Sequence, residues 1–269
     1  MLVAGLDVGG TKVGACLADP DTGDVLEHER ISTRTELGGA VVLADCVDLV
    51  GRVCSGASLD GVGIGICELV DLSGQVTSAT TIDWRGLDLA TAFSALGPVT
   101  VESDVRAAAL AEGRFGAARD ETAPWIYLTV GTGIAYALVV DGRPFRGARG
   151  NAIVVGAPPV EHSASGLALQ VRAGRASAED VLADTALDPL VADAAAALGQ
   201  ALAALVNALD PARVVVGGGL GLVSTYRDAA IATMRPLIDS DGTRDVPVVA
   251  AMLGTLAGPL GAALAASRP

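Results

Sequence analysis

The sequence predicts an α/β protein that is built from two similar halves with a ligand-binding cleft between them. The chain has 269 residues, which is long for one simple domain and suits two. Short apolar runs typical of buried strands alternate with segments of helical periodicity. A pattern of strand, Gly-Thr turn, strand and Asp-containing turn occurs twice, once from residue 6 and once from residue 128, and indicates a duplicated fold.

Each predicted element follows from a local pattern. Apolar runs bounded by turn residues predict strands, and apolar residues at helical spacing predict helices. The predicted strands are 2–8, 13–18, 25–32, 62–66, 99–102, 125–130, 134–140, 143–146, 213–216 and one near residue 246. The predicted helices are 37–53, 104–112 ended by Gly113, 193–209, about 222–238 and a final helix. The stretch around Pro158-Pro159 is the most irregular.

The composition argues against several classes of function. The formal net charge is −13 and the pI is near 4.4. Nucleic acids and anionic lipids attract basic surfaces, so we expect no nucleic acid partner and no membrane partner. Hydrophobic residues make up 51% of the chain, enough for a large core. The four cysteines form no Cys-x-x-Cys pair and there are only two histidines, so we expect no zinc site.

One uncharged segment, 246–267, is long enough to cross a membrane. Gly254, Gly258, Pro259 and Gly261 interrupt it, and Ala dominates over Leu and Ile. This pattern favours a buried strand followed by a packed helix. The start of the chain has no basic region before its apolar residues, so it does not resemble a signal peptide and we expect a cytoplasmic protein.

The segment Gly9-Gly10-Thr11-Lys12 is the first candidate phosphate-binding turn. It lacks the spacing of a Walker loop, and the following strand argues against a dinucleotide fingerprint. Its glycines would let several backbone N–H groups approach one phosphate, while Thr11 adds a hydroxyl and Lys12 a cation. Asp7, just before the turn, could hold Mg²⁺ through water. An ordinary β-hairpin turn explains the same residues equally well.

Two further glycine segments lie in the second half. Gly131-Thr132-Gly133 offers a second turn, which together with the first could hold the β- and γ-phosphates of a nucleotide and its metal. Gly217-Gly218-Gly219 follows a Val-rich strand and would let the backbone lie flat against an adenine or a ribose. A flexible strand-to-helix loop is the alternative interpretation of this third segment.

Asp104 is the strongest candidate for a catalytic group. It follows the strand 99–102 and opens the next helix, where the helix dipole favours the anion and lowers the pKa. Phosphoryl transfer asks little of a base beyond orienting a hydroxyl and accepting its proton late. A helix N-cap, which contributes about 1 kcal/mol, explains the same position.

Together these segments resemble the ROK family of bacterial sugar kinases and related proteins, within the actin-like ATPase superfamily. The resemblance covers nearly the whole chain, and its segment 102–112 is similar to a family motif that usually reads Asn-Asp-x-Asn-Ala-Ala-Ala-x-Gly-Glu. The other similar segments are 6–12, 130–134, 141–142, 147–150, 210–219 and 254–263. The resemblance implies a two-domain actin-like, ribonuclease H-like fold, with 1–104 and 255–269 in one domain and 105–254 in the other.

The resemblance also implies that Asp104 is the catalytic base and that the Gly-Thr turns bind the phosphates of ATP. The chain departs from the family at the sugar end, where Val154 and Ala157 stand at the positions of a sugar-contacting Glu and His. The family's zinc-binding cysteine cluster is missing. Glu161 resembles the Glu that follows this cluster, and Ser103 replaces an Asn.

We therefore predict an ATP- and Mg²⁺-dependent kinase for a modified sugar, an amino sugar or a cyclitol instead of plain glucose. Glu161 or Glu68 could pair with a substrate amine and Ser103 could replace the missing Asn, while two solvated Glu side chains are the alternative. His162 could replace the imidazole or simply lie on the surface.

A catalytically degenerate sensor is the alternative function. Regulators of the family carry a DNA-binding segment before the first motif, and the position of Leu6-Asp7 leaves no room for one. The acidic charge argues against such a regulator as well. A homodimer is compatible with the resemblance.

Overall fold

The computed structural model describes residues 1–155 and 158–267. The chain forms two compact units: unit 1 holds Met1–Arg119, Pro144–Ala152 and Leu253–Pro269, and unit 2 holds Asp120–Arg143 and Ile153–Met252. The division therefore differs from the predicted cut after residue 104. The helix that starts there belongs to unit 1 because its backbone packs directly on the closing helix.

The elements are numbered in chain order. The strands are β1 (Val3–Val8), β2 (Lys12–Asp19), β3 (Asp24–Ser32), β4 (Gly61–Ile66), β5 (Val99–Ser103), β6 (Trp125–Val130), β7 (Ile134–Val140), β8 (Arg143–Pro144), β9 (Val214–Gly217) and β10 (Val248–Ala250). The helices are α1 (Gly39–Val53), α2 (Leu89–Phe93), α3 (Asp104–Phe115), α4 (Pro158–Ala164), α5 (Gly166–Ala173), α6 (Ala178–Ala183), α7 (Asp188–Leu209), α8 (Ser224–Met234) and α9 (Ala257–Ala266). Short 3-10 turns occur at Thr35–Leu37, Ser94–Leu96, Thr185–Leu187, Arg235–Leu237 and Gly254–Leu256.

The predicted strands are confirmed within a few residues, but several helices differ from the prediction. Gly113 does not end α3, which continues to Phe115 and ends before Gly116. The irregular Pro158-Pro159 stretch begins helix α4, since proline is tolerated in the first turn of a helix. Helices α2 and α6 were not predicted, because five or six residues are too few to show a helical period.

The two sheets have the same strand order, which confirms the predicted duplication. In unit 1 the order across the sheet is β3-β2-β1-β4-β5. Read in the same direction, the order in unit 2 is β8-β7-β6-β9-β10. In chain order, the first two strands of each sheet, β1 with β2 and β6 with β7, form an antiparallel hairpin. Val8 pairs with Val13 in one hairpin, and Val130 pairs with Ile134 in the other. The fourth strand in chain order pairs in parallel with the first, as β4 does with β1 and β9 with β6. Each candidate Gly-Thr turn is therefore the tip of the corresponding hairpin.

Glycines determine how the helices pack on one face of the unit 1 sheet. The face toward α1 is apolar, whereas the opposite face of β4 carries glycine at alternate positions. A Cβ atom at Gly63 would lie 1.8 Å from the backbone oxygen of Ala262 in α9. A Cβ atom at Gly261 would lie 1.8 Å from the backbone oxygen of Ala107 in α3. Backbone-to-backbone contact thus joins the sheet, α9 and α3 into one body.

We expect Gly63→Ala to destabilise the protein by about 3 kcal/mol, because the added methyl group must displace α9. Urea unfolding followed by circular dichroism measures the effect. Gly51→Ala is the matched control, since nothing lies within 4 Å of its Cβ position in α1. This control should gain about 0.5–1 kcal/mol from helix propensity. Equal unfolding midpoints for the two variants would contradict this account of the packing.

The long helix α7 forms the core of unit 2 together with α8. Its Leu198, Leu202 and Val206 side chains are buried against the sheet and α8. By length and apolar composition alone, the helical stretch 185–209 could cross a membrane, although such helices also form protein cores. The uncharged segment 246–267, considered above as a span, instead contains β10 and the largely buried helix α9, as predicted.

Candidate active site

Two carboxylates meet where the parallel strands of unit 1 end. Asp7 of β1 pairs in register with Gly65 of β4, and Gly65 pairs with Glu102 of β5. A Cβ atom at Gly65 would lie 3.4 Å from the Cα atom of Asp104. On the same face, a Cβ atom at Gly258 of α9 would lie 2.2 Å from an oxygen of Asp7. Glycines on both sides therefore leave room for the Asp7 and Asp104 carboxylates.

Burial disturbs the ionisation of both carboxylates, and the charge of Asp104 acts on Asp7 as well. Burial and, second to it, the negative charge of Asp104 raise the pKa of Asp7 to about 7, while the positive charge of Arg30 opposes the shift. Burial also raises the pKa of Asp104 to about 6, against hydrogen bonds from Val105 and Ser103 and the charge of Arg106. The expectation of a lowered pKa at Asp104 was therefore wrong, because burial outweighs the helix dipole. A pKa near 6 makes Asp104 a better proton acceptor than an ordinary aspartate.

Asp104 is the first residue of α3, and the N-cap position belongs to Ser103. The Val105 amide donates a 2.6 Å hydrogen bond to Oδ1 of Asp104, and the Ser103 hydroxyl lies 3.5 Å from the same oxygen. No described hydrogen-bond donor reaches Oδ2. The N-cap alternative is thus incorrect, and one carboxylate oxygen is left to accept a proton.

The first glycine turn is held by its neighbours in unit 1. The Gly9 amide donates to the Lys12 carbonyl at 3.0 Å, and the Thr33 hydroxyl donates to the Gly9 carbonyl at 2.8 Å. Within the described residues the Gly10 amide has no acceptor. Lys12 is the only lysine of the chain; its side chain is exposed and forms no ion pair with the described residues. The turn therefore offers an open amide and a cation, as an anion site requires.

Glu68 holds the loop 78–82 beside this turn and is not solvated. Its side chain is only 2% exposed. Its two oxygens accept hydrogen bonds from the Ser78 hydroxyl and from three backbone amides, those of Thr80, Thr81 and Ile82. Four donors use the acceptor capacity of a carboxylate, so direct pairing with a substrate amine, as predicted, has no structural support. The loop it holds places the Thr81 methyl group 2.7 Å from a Cβ position at Gly10.

In unit 2 the second and third glycine segments come together. The amides of Leu220 and Gly221 both donate to the Val130 carbonyl, at 3.0 and 2.9 Å. A Cβ atom at Gly131 would lie 4.0 Å from the Gly219 amide nitrogen. Gly218 has a φ of +80°, which favours glycine, and a Cβ atom there would meet the Val130 backbone. The third segment is thus a fixed loop beside the second turn.

Gly217 is also closely packed, whereas the Cβ position of Gly219 is open. A Cβ atom at Gly217 would lie 2.2 Å from the Tyr127 hydroxyl. The Gly131 amide donates to the Gly133 carbonyl at 2.9 Å, and the Thr132 carbonyl accepts from Leu167 of α5 at 3.3 Å. Larger side chains at 217 or 218 would alter the path of the backbone.

Of the polar residues predicted at the sugar end, Glu161 lies beside the second turn, whereas Ser103 and Glu68 belong to unit 1. Glu161 is exposed, and its Oε1 accepts a 3.4 Å hydrogen bond from the Ile134 amide. A Cβ atom at Gly133 would lie 2.3 Å from that oxygen. Val154 is 56% exposed and forms an isolated bridge with Ala135 of β7. His162 is exposed in α4. The predicted role of Ala157 concerns a residue outside those described.

The cysteines are separated in the structure. Cys16, Cys46 and Cys54 are buried and Cys67 is partly buried, all as free thiols. Among the described residues, no group of three or more His, Cys, Asp or Glu side chains is arranged to hold a metal ion.

Sequence reasoning missed a buried ionic cluster next to Asp104. Arg106 is fully buried in α3 and pairs with Glu102, and Arg146 lies 3.4 Å from the other Glu102 oxygen. Glu112, also fully buried, accepts hydrogen bonds from the amides of Ala117 and Leu253 at 2.7 and 2.8 Å. The available signal was the pair of charged residues, Arg106 and Glu112, that flank the apolar run 107–111, since buried charges are almost always paired.

Two units with this strand order, a glycine hairpin turn in each and a carboxylate at the end of the fifth strand define the actin-like ATPase fold. Comparison with known proteins then gives the family. The ROK family model matches residues 3–165 and 160–268, so the chain belongs to the ROK family.

Solved structures agree with this assignment. A ROK family glucokinase from Streptomyces griseus, in complex with glucose and AMPPNP, aligns with a TM-score of 0.87 and 27% identity over 100% of both chains. The ROK hexokinase from Thermus thermophilus aligns with a TM-score of 0.78 and 32% identity, covering 99% of this chain and 98% of that one. The chain thus has the fold and the family signature of ATP-dependent carbohydrate kinases.

A curated relative is similar over a shorter region. The bifunctional enzyme NanE/NanK of Brucella suis is 36% identical over 190 residues, which cover 63% of this chain. The match spans only 35% of the length of that longer enzyme.

Proposed function

We propose that the protein transfers the γ-phosphoryl group of ATP to a hydroxyl of a sugar-like polyol. The observation that supports this most is the Asp104 carboxylate, which has a raised pKa and an oxygen with no described partner at the end of β5. The new bond joins the acceptor oxygen to the γ-phosphorus while the bond to the β-phosphate oxygen breaks and ADP leaves. Asp104 orients the hydroxyl and accepts its proton.

The residues of unit 1 fit a hydrated magnesium ion. Asp7 is partly buried without a hydrogen-bond donor among the described residues, and desolvation is the main cause of its raised pKa. We propose that Asp7 holds Mg²⁺ through water and that Gly9, Gly10, Thr11 and Lys12 bind phosphate oxygens. Mg²⁺ neutralises charge on the phosphates when it is bound.

We assign the remaining nucleotide contacts to unit 2. The candidates are Gly131, Thr132, Gly133, Gly217, Gly218 and Gly219, which form two adjoining loops. Neutral amides and fixed loop geometry stabilise developing negative charge without reorganisation.

The acceptor is proposed to be a modified sugar, an amino sugar or a cyclitol, bound in part by Ser103 and Glu161. The exposed Val154 places an apolar group where a sugar-binding Glu is expected, and a site without that partner favours fewer or different hydroxyls. An ADP-release screen over hexoses, amino sugars and cyclitols tests this. Glucose as the best acceptor would contradict the proposed specificity, and nucleotide binding without turnover on any acceptor would favour the sensor alternative.

The single lysine allows a direct test of the first phosphate turn. We expect an amine-selective reagent to modify Lys12 in addition to the N-terminal amine, and MgATP to protect Lys12 at least about tenfold because phosphate covers it. Peptide mass spectrometry measures both labelling rates, and the N-terminal amine is the internal control. Equal labelling of Lys12 with and without nucleotide would remove this residue from the proposed site.

A further inference from the structure

We propose that Arg106 is a positioning residue that fixes the acceptor side of the site. The inference rests on the proposed kinase function and extends it to a residue that does not touch the reacting atoms. It concerns three pieces of unit 1: the end of β5, the hairpin at 69–77 and the segment 144–152.

The guanidinium of Arg106 joins these three pieces. Its Nε donates to Oε1 of Glu102 at 2.6 Å, its Nη1 donates to the Gly150 carbonyl at 2.6 Å and its Nη2 donates to the Val70 carbonyl at 3.1 Å. The side chain has 0% exposure, so it is a charge that the fold keeps away from water. A planar group with donors in fixed directions sets the relative position of all three acceptors.

The fit around Arg106 is close. Gly150 has a φ of +84°, and a Cβ atom there would lie 2.1 Å from the Val70 carbonyl oxygen. The hairpin and the segment 144–152 therefore touch backbone to backbone at the point where Arg106 binds both. Arg146 strengthens the same junction, since it donates to the Asp71 carbonyl at 3.2 Å and lies 3.4 Å from Oε2 of Glu102.

The junction leads directly to the proposed catalytic group. Glu102 accepts a 2.8 Å hydrogen bond from the Ser103 amide, and Ser103 precedes Asp104. The hairpin, in turn, begins after Glu68, whereas the phosphate turn 9–12 has its own hydrogen bonds to Thr33, the residue after β3. Loss of the Arg106 fork should therefore loosen the surroundings of Asp104 and leave the phosphate turn intact.

The test is Arg106→Lys, which keeps the charge and removes the fork. We expect the acceptor KM to rise at least tenfold and kcat to fall, because Asp104 is held less firmly, while the ATP KM changes less than threefold. Arg52→Lys is the matched control, since Arg52 pairs with Glu29 on the exposed surface of unit 1. A residue that only supports folding would reduce the amount of active protein and leave both KM values unchanged, and that result would overturn the proposal.

Two further measurements keep the proposal testable. Gly150→Ala opens the same junction from the other side and should raise the acceptor KM in the same way, even if Arg106→Lys does not fold. Hydrogen–deuterium exchange of either variant should increase severalfold at 69–77 and 144–152 and stay unchanged at 9–12. The exchange measurement does not require turnover. An inactive wild-type protein would contradict the kinase proposal, but the exchange measurement would still test the role of Arg106. Unchanged exchange at 69–77 and 144–152 would overturn the proposed role of Arg106.

Discussion

Asp104→Asn should reduce kcat by about a thousandfold or more, because the amide cannot accept the proton of the acceptor hydroxyl. The variant should bind nucleotide almost as well as the wild type, since the glycine turns are unchanged. ADP release measures the rate, and isothermal calorimetry with a non-hydrolysable ATP analogue measures binding.

The pH dependence gives an independent check of the same group. Because the pKa of Asp104 is raised to about 6, the wild-type rate should fall as the pH decreases through this value. Asp193→Asn, at an exposed position of α7, is a control that should keep the rate and the pH profile. Turnover above one tenth of wild type in Asp104→Asn would refute the assigned role.

Asp7→Asn should make the nucleotide-free protein more stable at pH 8, by on the order of 2–4 kcal/mol, while it abolishes the kinase reaction. The pKa of Asp7 is raised to about 7, whereas an unfolded Asp titrates near 3.9. Between these values the folded chain keeps a proton that the unfolded chain releases. The stability from this group is therefore complete below about pH 4 and is lost as the pH rises to about 7.

Urea unfolding at a series of pH values, without magnesium or nucleotide, measures this difference. The variant should gain stability relative to wild type as the pH rises from 5 to 8, and Asp193→Asn should follow the wild-type curve. MgATP should narrow the difference between wild type and Asp7→Asn, because a bound cation stabilises the carboxylate. A constant difference between the two proteins at every pH would show that the Asp7 carboxylate is not destabilised by burial.

The predictions for Asp104 and Asp7 both concern a conflict between stability and function at the ends of the strands. Asp7 and Asp104 are each disfavoured as anions by burial, and the charge of Asp104 adds to the pKa shift of Asp7. A chain selected for stability alone would not keep both carboxylates. Their cost is understandable if a cation and an acceptor hydroxyl complete the site, as strained groups often do at functional sites.

The duplicated hairpins and the glycine turns at their tips could be predicted from local patterns. The hairpins around 9–12 and 131–133 combine strongly apolar strands with glycine turns, and both signals are contained in a few neighbouring residues. Short helices such as α6 and the end of α3 could not be predicted, because tertiary contacts decide them.

The sequence by itself determined the duplicated α/β fold, the glycine turns and the position of Asp104 between a strand and a helix, because spacing along the chain carries this information. Only the tertiary structure decided the burial, the hydrogen-bond partners and the pKa values of the charged residues. Glu68 became a buried loop anchor, the pKa of Asp104 rose instead of falling, and Arg106 joined segments more than thirty residues away. Burial and hydrogen-bond partners set these properties, and both depend on residues that are distant in sequence.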